Sequence, residues 1–144
     1  SFVGLTPRTR TLFGPPGRAS VYRSYGIHDL LNAVCEPEGI GAAVLIRALE
    51  PLRGLAAMRA RRGGVSDLEL CSGPGKLAQA LGITLADNAT SLVRGPVRIG
   101  SRTEAWRSPR VVTGTRVGIA RAVDLHWRFS AEGNRNVSRP RPRR

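Results

Sequence analysis

The sequence predicts a single domain of mixed α/β (α+β) class, on three observations. The chain has 144 residues, 41% of them hydrophobic, which is enough for one domain with its own core. Residues 21–34 resemble a β-hairpin, and the apolar run at residues 42–49 is typical of a buried strand. Residues 51–62 repeat apolar side chains at helical spacing.

The predicted hairpin contains the only two tyrosines of the chain, Tyr22 and Tyr25. Its strands are residues 21–25 and 27–34, and the turn is Tyr25-Gly26, where glycine adopts positive φ without steric cost. An aromatic hairpin tip on a basic protein suits insertion between stacked bases. The alternative is that both tyrosines pack on the core, as aromatic residues of strands commonly do.

Arg47 interrupts the apolar run at residues 42–49. A charged group inside an apolar strand needs a partner, because an unpaired buried charge costs several kcal/mol or more. Arg47 is therefore expected to form an ion pair, to extend its guanidinium to the surface, or to face a polar or anionic pocket.

Three helices are predicted next. The first spans residues 51–62, with Leu52, Leu55 and Met58 on its apolar face, and ends at Gly63-Gly64. The second spans residues 66–70 and begins with a capping box. The third spans residues 76–81 and follows the turn Ser72-Gly-Pro-Gly-Lys76. The backbone N–H groups of this turn suit a phosphate, and the alternative is a plain turn that starts the helix.

The C-terminal part is rich in turns. An edge strand is predicted at residues 93–99 and a short strand within residues 113–119. Trp127 and Phe129 are expected to pack in the core. The domain is predicted to span residues 1–130, and residues 131–144 to form a disordered basic Pro/Arg tail.

The formal net charge of +13, from 23 basic and 10 acidic residues, predicts a polyanionic partner, with nucleic acid first. Charge alone leaves DNA, RNA and membrane surfaces open. Cys35 and Cys71 are too far apart in sequence for a zinc motif and are expected to be two buried thiols of a cytoplasmic protein. No apolar run reaches 18 residues, so no membrane-spanning helix is expected.

The hairpin segment Tyr22-Arg-Ser-Tyr-Gly-Ile-His-Asp-Leu-Leu-Asn32 resembles the YxxYGxxxxxN signature of the alkyladenine (3-methyladenine) DNA glycosylase family. Further blocks similar to the family begin at Thr6, Val44 and Leu70 and follow in the family's order. The resemblance covers most of residues 1–129, and four ordered blocks are a specific signal.

This resemblance implies a curved, mainly antiparallel sheet packed by helices, with a protruding β-hairpin. It implies a DNA glycosylase of base excision repair that flips alkylated purines of the 3-methyladenine type out of duplex DNA and excises them by hydrolysis. No metal or organic cofactor is expected, and the protein is expected to be a monomer in the cytoplasm, associated with the nucleoid of a prokaryote-like cell.

The resemblance also assigns roles to residues. Tyr25 is the DNA-intercalating residue, Tyr22 and Asn32 form the base pocket, and Arg47 holds the hydrolytic water. The expected DNA contacts are Thr6, Arg8, Arg10, Ile27, His28 and Lys76. The family's catalytic Glu belongs to a segment before the block that begins this chain, and none of the ten acidic residues stands at its position.

Two other functions fit parts of these observations. A truncated, catalytically inactive homologue that binds DNA or lesions would retain the hairpin and the pocket without turnover. A generic basic protein, such as an RNA or ribosome partner, would show no preference for damaged bases.

Overall fold

The structure is a computed structural model that describes residues 4–102 and 109–140. The strands are β1 (Ala19–Ser24), β2 (His28–Val34), β3 (Ala43–Leu45), β4 (Val111–Gly114) and β5 (Arg128–Ala131). The α-helices are α1 (Leu55–Arg62), α2 (Asp67–Leu70) and α3 (Pro74–Leu81), and 3-10 helices span Arg10–Phe13 and Leu85–Asp87. The predicted mixed α/β class is confirmed.

The predicted hairpin is confirmed as β1 and β2. The two strands pair antiparallel from Ala19↔Ala33 to Ser24↔His28. The Ile27 N–H donates a hydrogen bond to the Ser24 carbonyl over 3.1 Å and closes the turn. Tyr25 (φ 50°) and Gly26 (φ 70°) both have positive φ, as the tightest hairpin turns require.

In the described part of the chain, the strands form two antiparallel sheets rather than one. β3 pairs with β2 and makes the first sheet three-stranded, in the order β1-β2-β3. β4 and β5 form a separate two-stranded sheet, from Val111↔Ala131 to Gly114↔Arg128. The antiparallel character implied by the resemblance is therefore present in both sheets.

The core lies where the helices pack against the first sheet. Its two clusters meet at the half-buried Ile46. One cluster joins β1 and β2 to α3, and its buried members are Ala19, Val21, Leu31, Ala78, Ile83 and Leu92. The other joins the three helices, and its buried members are Met58, Leu70, Cys71, Leu77 and Ala80.

The prediction of one buried strand at residues 42–49 is wrong in length and burial. Only Ala43–Leu45 pairs with β2, at the edge of the sheet, and Val44 is 55% exposed. The Leu49 N–H donates to the Cys71 carbonyl over 3.1 Å. The chain therefore turns away from the sheet toward the helices after β3.

The predicted helices are present, with different beginnings. α1 begins at Leu55, because Gly54 has φ 75°, and Leu52 is exposed outside the helix. α1 ends at Gly63 as predicted, and α3 begins two residues earlier than predicted, at Pro74. The capping box at α2 is not formed, because the Ser66 hydroxyl bonds the Glu69 carboxylate instead of a backbone N–H.

Four further predictions required correction, three of them in the C-terminal part and one at Cys35. Residues 93–99 form turns and irregular structure instead of a strand. The last predicted strand lies at Val111–Gly114, upstream of most of the predicted range. Trp127 and Phe129 are 64% and 67% exposed, because alternation in β5 places Arg128 on the buried side instead. Cys35 is exposed, and only Cys71 is buried.

The division between a domain and a tail at residue 130 stays a prediction. β5 extends to Ala131, and Ser138 is buried beside Arg128.

Candidate functional site

A cleft of about 1390 Å³ lies between the three-stranded sheet and the segment that contains β5. Its lining includes Tyr22 of β1, Asn32 of β2, Arg47 after β3, and Trp127 and Arg128 at the start of β5. The two antiparallel sheets thus bring residues that are distant in sequence to one concave surface.

Tyr25 stands at the tip of the hairpin, at one side of this cleft. Its side chain is 90% exposed, and its φ of 50° is a left-handed conformation that L-residues rarely adopt. Ile27, two residues on, is 74% exposed. An apolar, strained and exposed tip contributes nothing to the core, and such strain concentrates at functional sites.

Tyr22 lies within β1, two residues before the strand ends at Ser24, and pairs with Leu30 of β2. It is half-buried. The guanidinium carbon of Arg8 is 5.8 Å from the centre of the Tyr22 ring. Arg8 Nη2 is also 3.5 Å from the Arg23 carbonyl oxygen. The fold therefore brings an exposed basic residue of the N-terminal loop onto a tyrosine of the cleft.

Asn32 is 8% exposed and forms part of the cleft wall. Its Nδ2 donates to the carbonyl of Ser20, on the neighbouring strand, over 3.1 Å. This bond holds the amide in one orientation, and a fixed amide can discriminate between the hydrogen-bonding edges of bound molecules.

Arg47 lines the same cleft and is half-buried. Its Nε is buried and has no hydrogen-bond partner among residues 4–102 and 109–140. Burial lowers the pKa of Arg47, and the nearby positive charge of Arg128 lowers it further. The predicted alternative of an ion pair is wrong for the described part of the chain.

Arg128 is a cleft residue that the sequence did not reveal. It is 5% exposed, and its Nη2 donates to the carbonyl and the hydroxyl of Ser138. Burial also lowers the pKa of Arg128. The only sequence signal was an arginine between two aromatic residues, Trp127 and Phe129, in a predicted core segment.

The N-terminal loop is held by two threonines. The Thr6 and Thr9 hydroxyls are 2.9 Å apart, and Thr9 Oγ1 donates to the Gly4 carbonyl over 2.8 Å. Arg8 and Arg10 are exposed, and Arg10 begins the 3-10 helix that follows. The threonine bonds therefore shape a loop whose arginines remain available to solvent or to a ligand.

The first turn of α3 packs against the start of β2, next to the hairpin tip. A Cβ added to Gly75 would lie 3.1 Å from the Cβ and Cγ of His28. Lys76 is exposed, with its Nζ 4.0 Å from a Glu69 carboxylate oxygen. Because Gly75 has no side chain, α3 approaches the start of β2 closely, and Lys76, the next residue, lies near His28.

The predicted site residues form two groups. Arg8, Tyr22, Tyr25, Asn32 and Arg47 line the cleft. The others lie outside its lining, on the N-terminal loop, the hairpin tip and the start of α3, and they are Thr6, Arg10, Ile27, His28 and Lys76.

The cleft also contains two carboxylates, Glu36 and Glu50, both exposed. Asn134 Nδ2 donates to Glu50 over 3.1 Å. Among the described residues, no three His, Cys, Asp or Glu side chains are grouped to hold a metal ion. Within the same ranges, no helix has the length and apolar character needed to cross a membrane.

Comparison with known proteins gives a consistent result. The family model described as "Methylpurine-DNA glycosylase" matches residues 1–135. A protein of Rhodopseudomonas palustris is 58% identical over 143 residues, which is 99% of this chain and 68% of that protein. A protein of Bradyrhizobium diazoefficiens is 55% identical over 99% of this chain and 70% of its own length. A protein of Methanoculleus marisnigri is 52% identical over 96% of this chain and 73% of its own length. All three bear the name "Putative 3-methyladenine DNA glycosylase".

Proposed function

Since this chain belongs to the methylpurine-DNA glycosylase family, we propose that it flips an alkylated purine out of duplex DNA and holds that base in the cleft. Membership identifies a DNA glycosylase of base excision repair, with DNA as its substrate. The names of the relatives favour 3-methyladenine as the model lesion. The observation that supports the proposal most is the exposed Tyr25 beside a cleft lined by Tyr22 and Asn32.

Tyr25 fills the space that the flipped nucleotide leaves. A base inside a duplex is inaccessible to hydrolysis, so the nucleotide must rotate out of the stack at a cost of a few kcal/mol. An apolar or aromatic side chain inserted between base steps offsets part of that cost. The turn holds Tyr25 outward, so its ring needs no rearrangement of the core before insertion.

Tyr22 and Asn32 select the base. Alkylated purines such as 3-methyladenine and 7-methylguanine have positive charge in the nucleotide, and an aromatic face attracts a cation by about 0.5–2 kcal/mol. Tyr22 supplies such a face. The Asn32 amide, fixed by its bond to Ser20, reads the purine edge by hydrogen bonding or rejects it by steric conflict.

Arg47 positions the attacking water. Hydrolysis breaks the N-glycosidic bond: water attacks C1′ of the sugar, the base leaves with the bonding electrons, and a carboxylate accepts the proton of the water. Arg47 lines the cleft, and the N–H groups of its guanidinium are suited to donate to the water oxygen. Neither cleft carboxylate, Glu36 nor Glu50, occupies the family's catalytic position, and we assign neither the proton transfer.

The predicted DNA-binding residues contact the DNA around the cleft. Thr6, Arg8 and Arg10 contact the DNA backbone on one side of the cleft. Ile27 and His28 contact the minor groove next to Tyr25. Lys76 contacts a phosphate near the start of α3. The net charge of +13 predicts affinity that falls steeply with salt. Monomeric state and location on the nucleoid in the cytoplasm stay predictions.

The test uses this chain and a duplex that contains one 1,N6-ethenoadenine or one hypoxanthine. Strand cleavage after alkali reports abasic-site formation, and gel shift reports binding. More cleavage of the damaged duplex than of the undamaged duplex supports an active glycosylase. Preferential binding of the damaged duplex without cleavage supports the lesion-binding homologue. Equal binding to damaged and undamaged DNA, without cleavage, would contradict both.

Tyr22→Leu and Arg94→Gln provide matched variants for this test. Tyr22→Leu retains an apolar residue in β1 but removes the aromatic face on which the damaged base stacks. It is therefore expected to lose the preference for these two lesions, which are uncharged and depend on stacking without a cation–π contribution. Arg94 is exposed and does not line the cleft, and its replacement removes one positive charge without touching the proposed pocket.

A further inference from the structure

Four arginines line the cleft, and two of them, Arg47 and Arg128, have no carboxylate of the described residues paired with them. Arg47 and Arg128 both line it, and Arg128 is close enough for its charge to act on Arg47. Two like charges in a partly desolvated site repel each other, and burial strengthens that repulsion. An arrangement of this kind becomes favourable when an anion binds to both.

The described side chains do not supply that anion. Glu36 and Glu50 line the cleft, yet neither forms an ion pair with Arg47 or Arg128 in the described ranges. The carboxylate of Glu50 accepts a hydrogen bond from Asn134. The Nε of Arg47 is left buried without a partner.

Arg128 is held in place, and Arg47 forms no ion pair among the described residues, so the cleft presents two guanidinium groups to a ligand. The bonds from Arg128 Nη2 to Ser138 fix the guanidinium of Arg128. The planar guanidinium has five N–H donors, so Arg128 retains donors for a ligand beyond those bonds. Paired guanidinium groups match the tetrahedral oxygens of a phosphate in number and geometry.

We propose that Arg47 and Arg128 together bind one DNA phosphate, that of a phosphodiester directly flanking the flipped nucleotide. This inference rests on the proposed function, since flipping rotates the nucleotide and its backbone toward the cleft. A phosphate bound by both arginines holds the attached sugar against the cleft wall that contains Arg47. The same arginine positions the attacking water. Arg128 is then a positioning residue that the sequence motifs did not assign.

The experiment neutralises phosphates one at a time in the DNA and leaves the protein intact. Duplexes with one ethenoadenine receive a single methylphosphonate at the 5′-flanking phosphate, the 3′-flanking phosphate, or a position several base pairs away as a baseline. Binding of the wild-type chain is measured by fluorescence anisotropy at fixed salt. A charge-assisted hydrogen bond predicts that one flanking substitution weakens binding by about 10- to 150-fold beyond the baseline.

Two variants connect the effect to the arginines. Arg128→Gln removes the charge and retains an N–H donor for Ser138. Arg47→Gln removes the charge at the other arginine and retains an amide in its place. In either folded variant the sensitive methylphosphonate is expected to cost less than about threefold beyond the baseline. Thermal melts establish whether each variant is folded, and the wild-type scan remains decisive if one is not.

The outcomes separate the two proposals. A preference for the lesion with no sensitive flanking phosphate would overturn the phosphate site and leave the glycosylase function standing; the cleft would then receive another anion, such as a polypeptide carboxylate. A sensitive phosphate that stays equally sensitive in both folded variants would also overturn it. Equal affinity for damaged and undamaged duplexes would refute the proposed function and this inference with it.

Discussion

Replacing Tyr25 by Ala removes the proposed wedge without touching the core. The side chain is 90% exposed, so little packing is lost. Alanine at the same position retains a Cβ, and the backbone strain of the positive φ stays the same. The free energy of unfolding is therefore expected to change by less than about 0.5 kcal/mol, as for other surface substitutions.

The effect on DNA is expected to be much larger. An aromatic ring stacked on bases contributes about 1–3 kcal/mol per base. The loss corresponds to about 5- to 150-fold weaker binding of a duplex with one ethenoadenine. Undamaged DNA, bound through its phosphates, is expected to change little.

The assay is fluorescence anisotropy with the damaged and undamaged duplexes, beside a thermal melt of each variant. Tyr25→Gly is the control for strain. Glycine relieves about 1–2 kcal/mol of left-handed strain against a greater entropic cost of about 0.5–1 kcal/mol, so its melting temperature should equal or exceed that of the wild type. Both variants should lose lesion affinity equally. Unchanged lesion affinity in Tyr25→Ala would refute the wedge, and a large fall in melting temperature would refute the assignment of Tyr25 as a purely exposed residue.

Three predictions concern the scaffold. The Arg23 guanidinium donates two hydrogen bonds of 2.8 and 3.0 Å to the Asp29 carboxylate and lowers its pKa. The pair therefore stabilises the fold at pH values above about 4, the pKa of Asp29 in the unfolded chain. This contribution is lost as the pH falls through the lower pKa of Asp29 in the folded protein. Asp29→Asn should therefore lower the melting temperature at pH 7, and this loss should shrink as the pH falls below about 4; a loss that stays the same at every pH would contradict the ion pair. Leu77 is fully buried, and Leu77→Ala should cost about 2–5 kcal/mol in urea unfolding; a cost below about 1 kcal/mol would show that the helix cluster is loosely packed. Gly41 lies against the Phe13 ring, with no room for a Cβ, so Gly41→Ala should displace the ring and destabilise by about 1–3 kcal/mol, whereas an unchanged unfolding curve would mean that the contact is absent.

Local chemistry made the hairpin and the helix ends predictable. The Tyr25-Gly26 turn needs positive φ, and a glycine between two apolar runs signals it. α1 and α3 end at Gly63 and Gly82, whose left-handed φ values of 69° and 70° close both helices. These features depend on a few neighbouring residues, which is why a single sequence was enough to indicate them.

The predictions that were wrong, or that the sequence could not provide, concern features that depend on residues distant in sequence. Among the described residues, the apolar run at residues 42–49 contributes only the short edge strand β3, which pairs with β2. Nothing near Trp127 indicates that Arg128, instead of the aromatic residues, takes the buried side of β5. The proximity of Arg47 and Arg128, which lie 81 positions apart in sequence, is a property of the tertiary fold alone.

The ratio of dissociation constants for a duplex with one ethenoadenine and the matched undamaged duplex, measured at one salt concentration, tests the central claim most directly. The account predicts tighter binding of the damaged duplex by the wild-type chain and a loss of that preference in Tyr22→Leu, because the damaged base stacks on Tyr22 in the cleft. Equal dissociation constants for both duplexes with the folded wild-type chain would contradict the account.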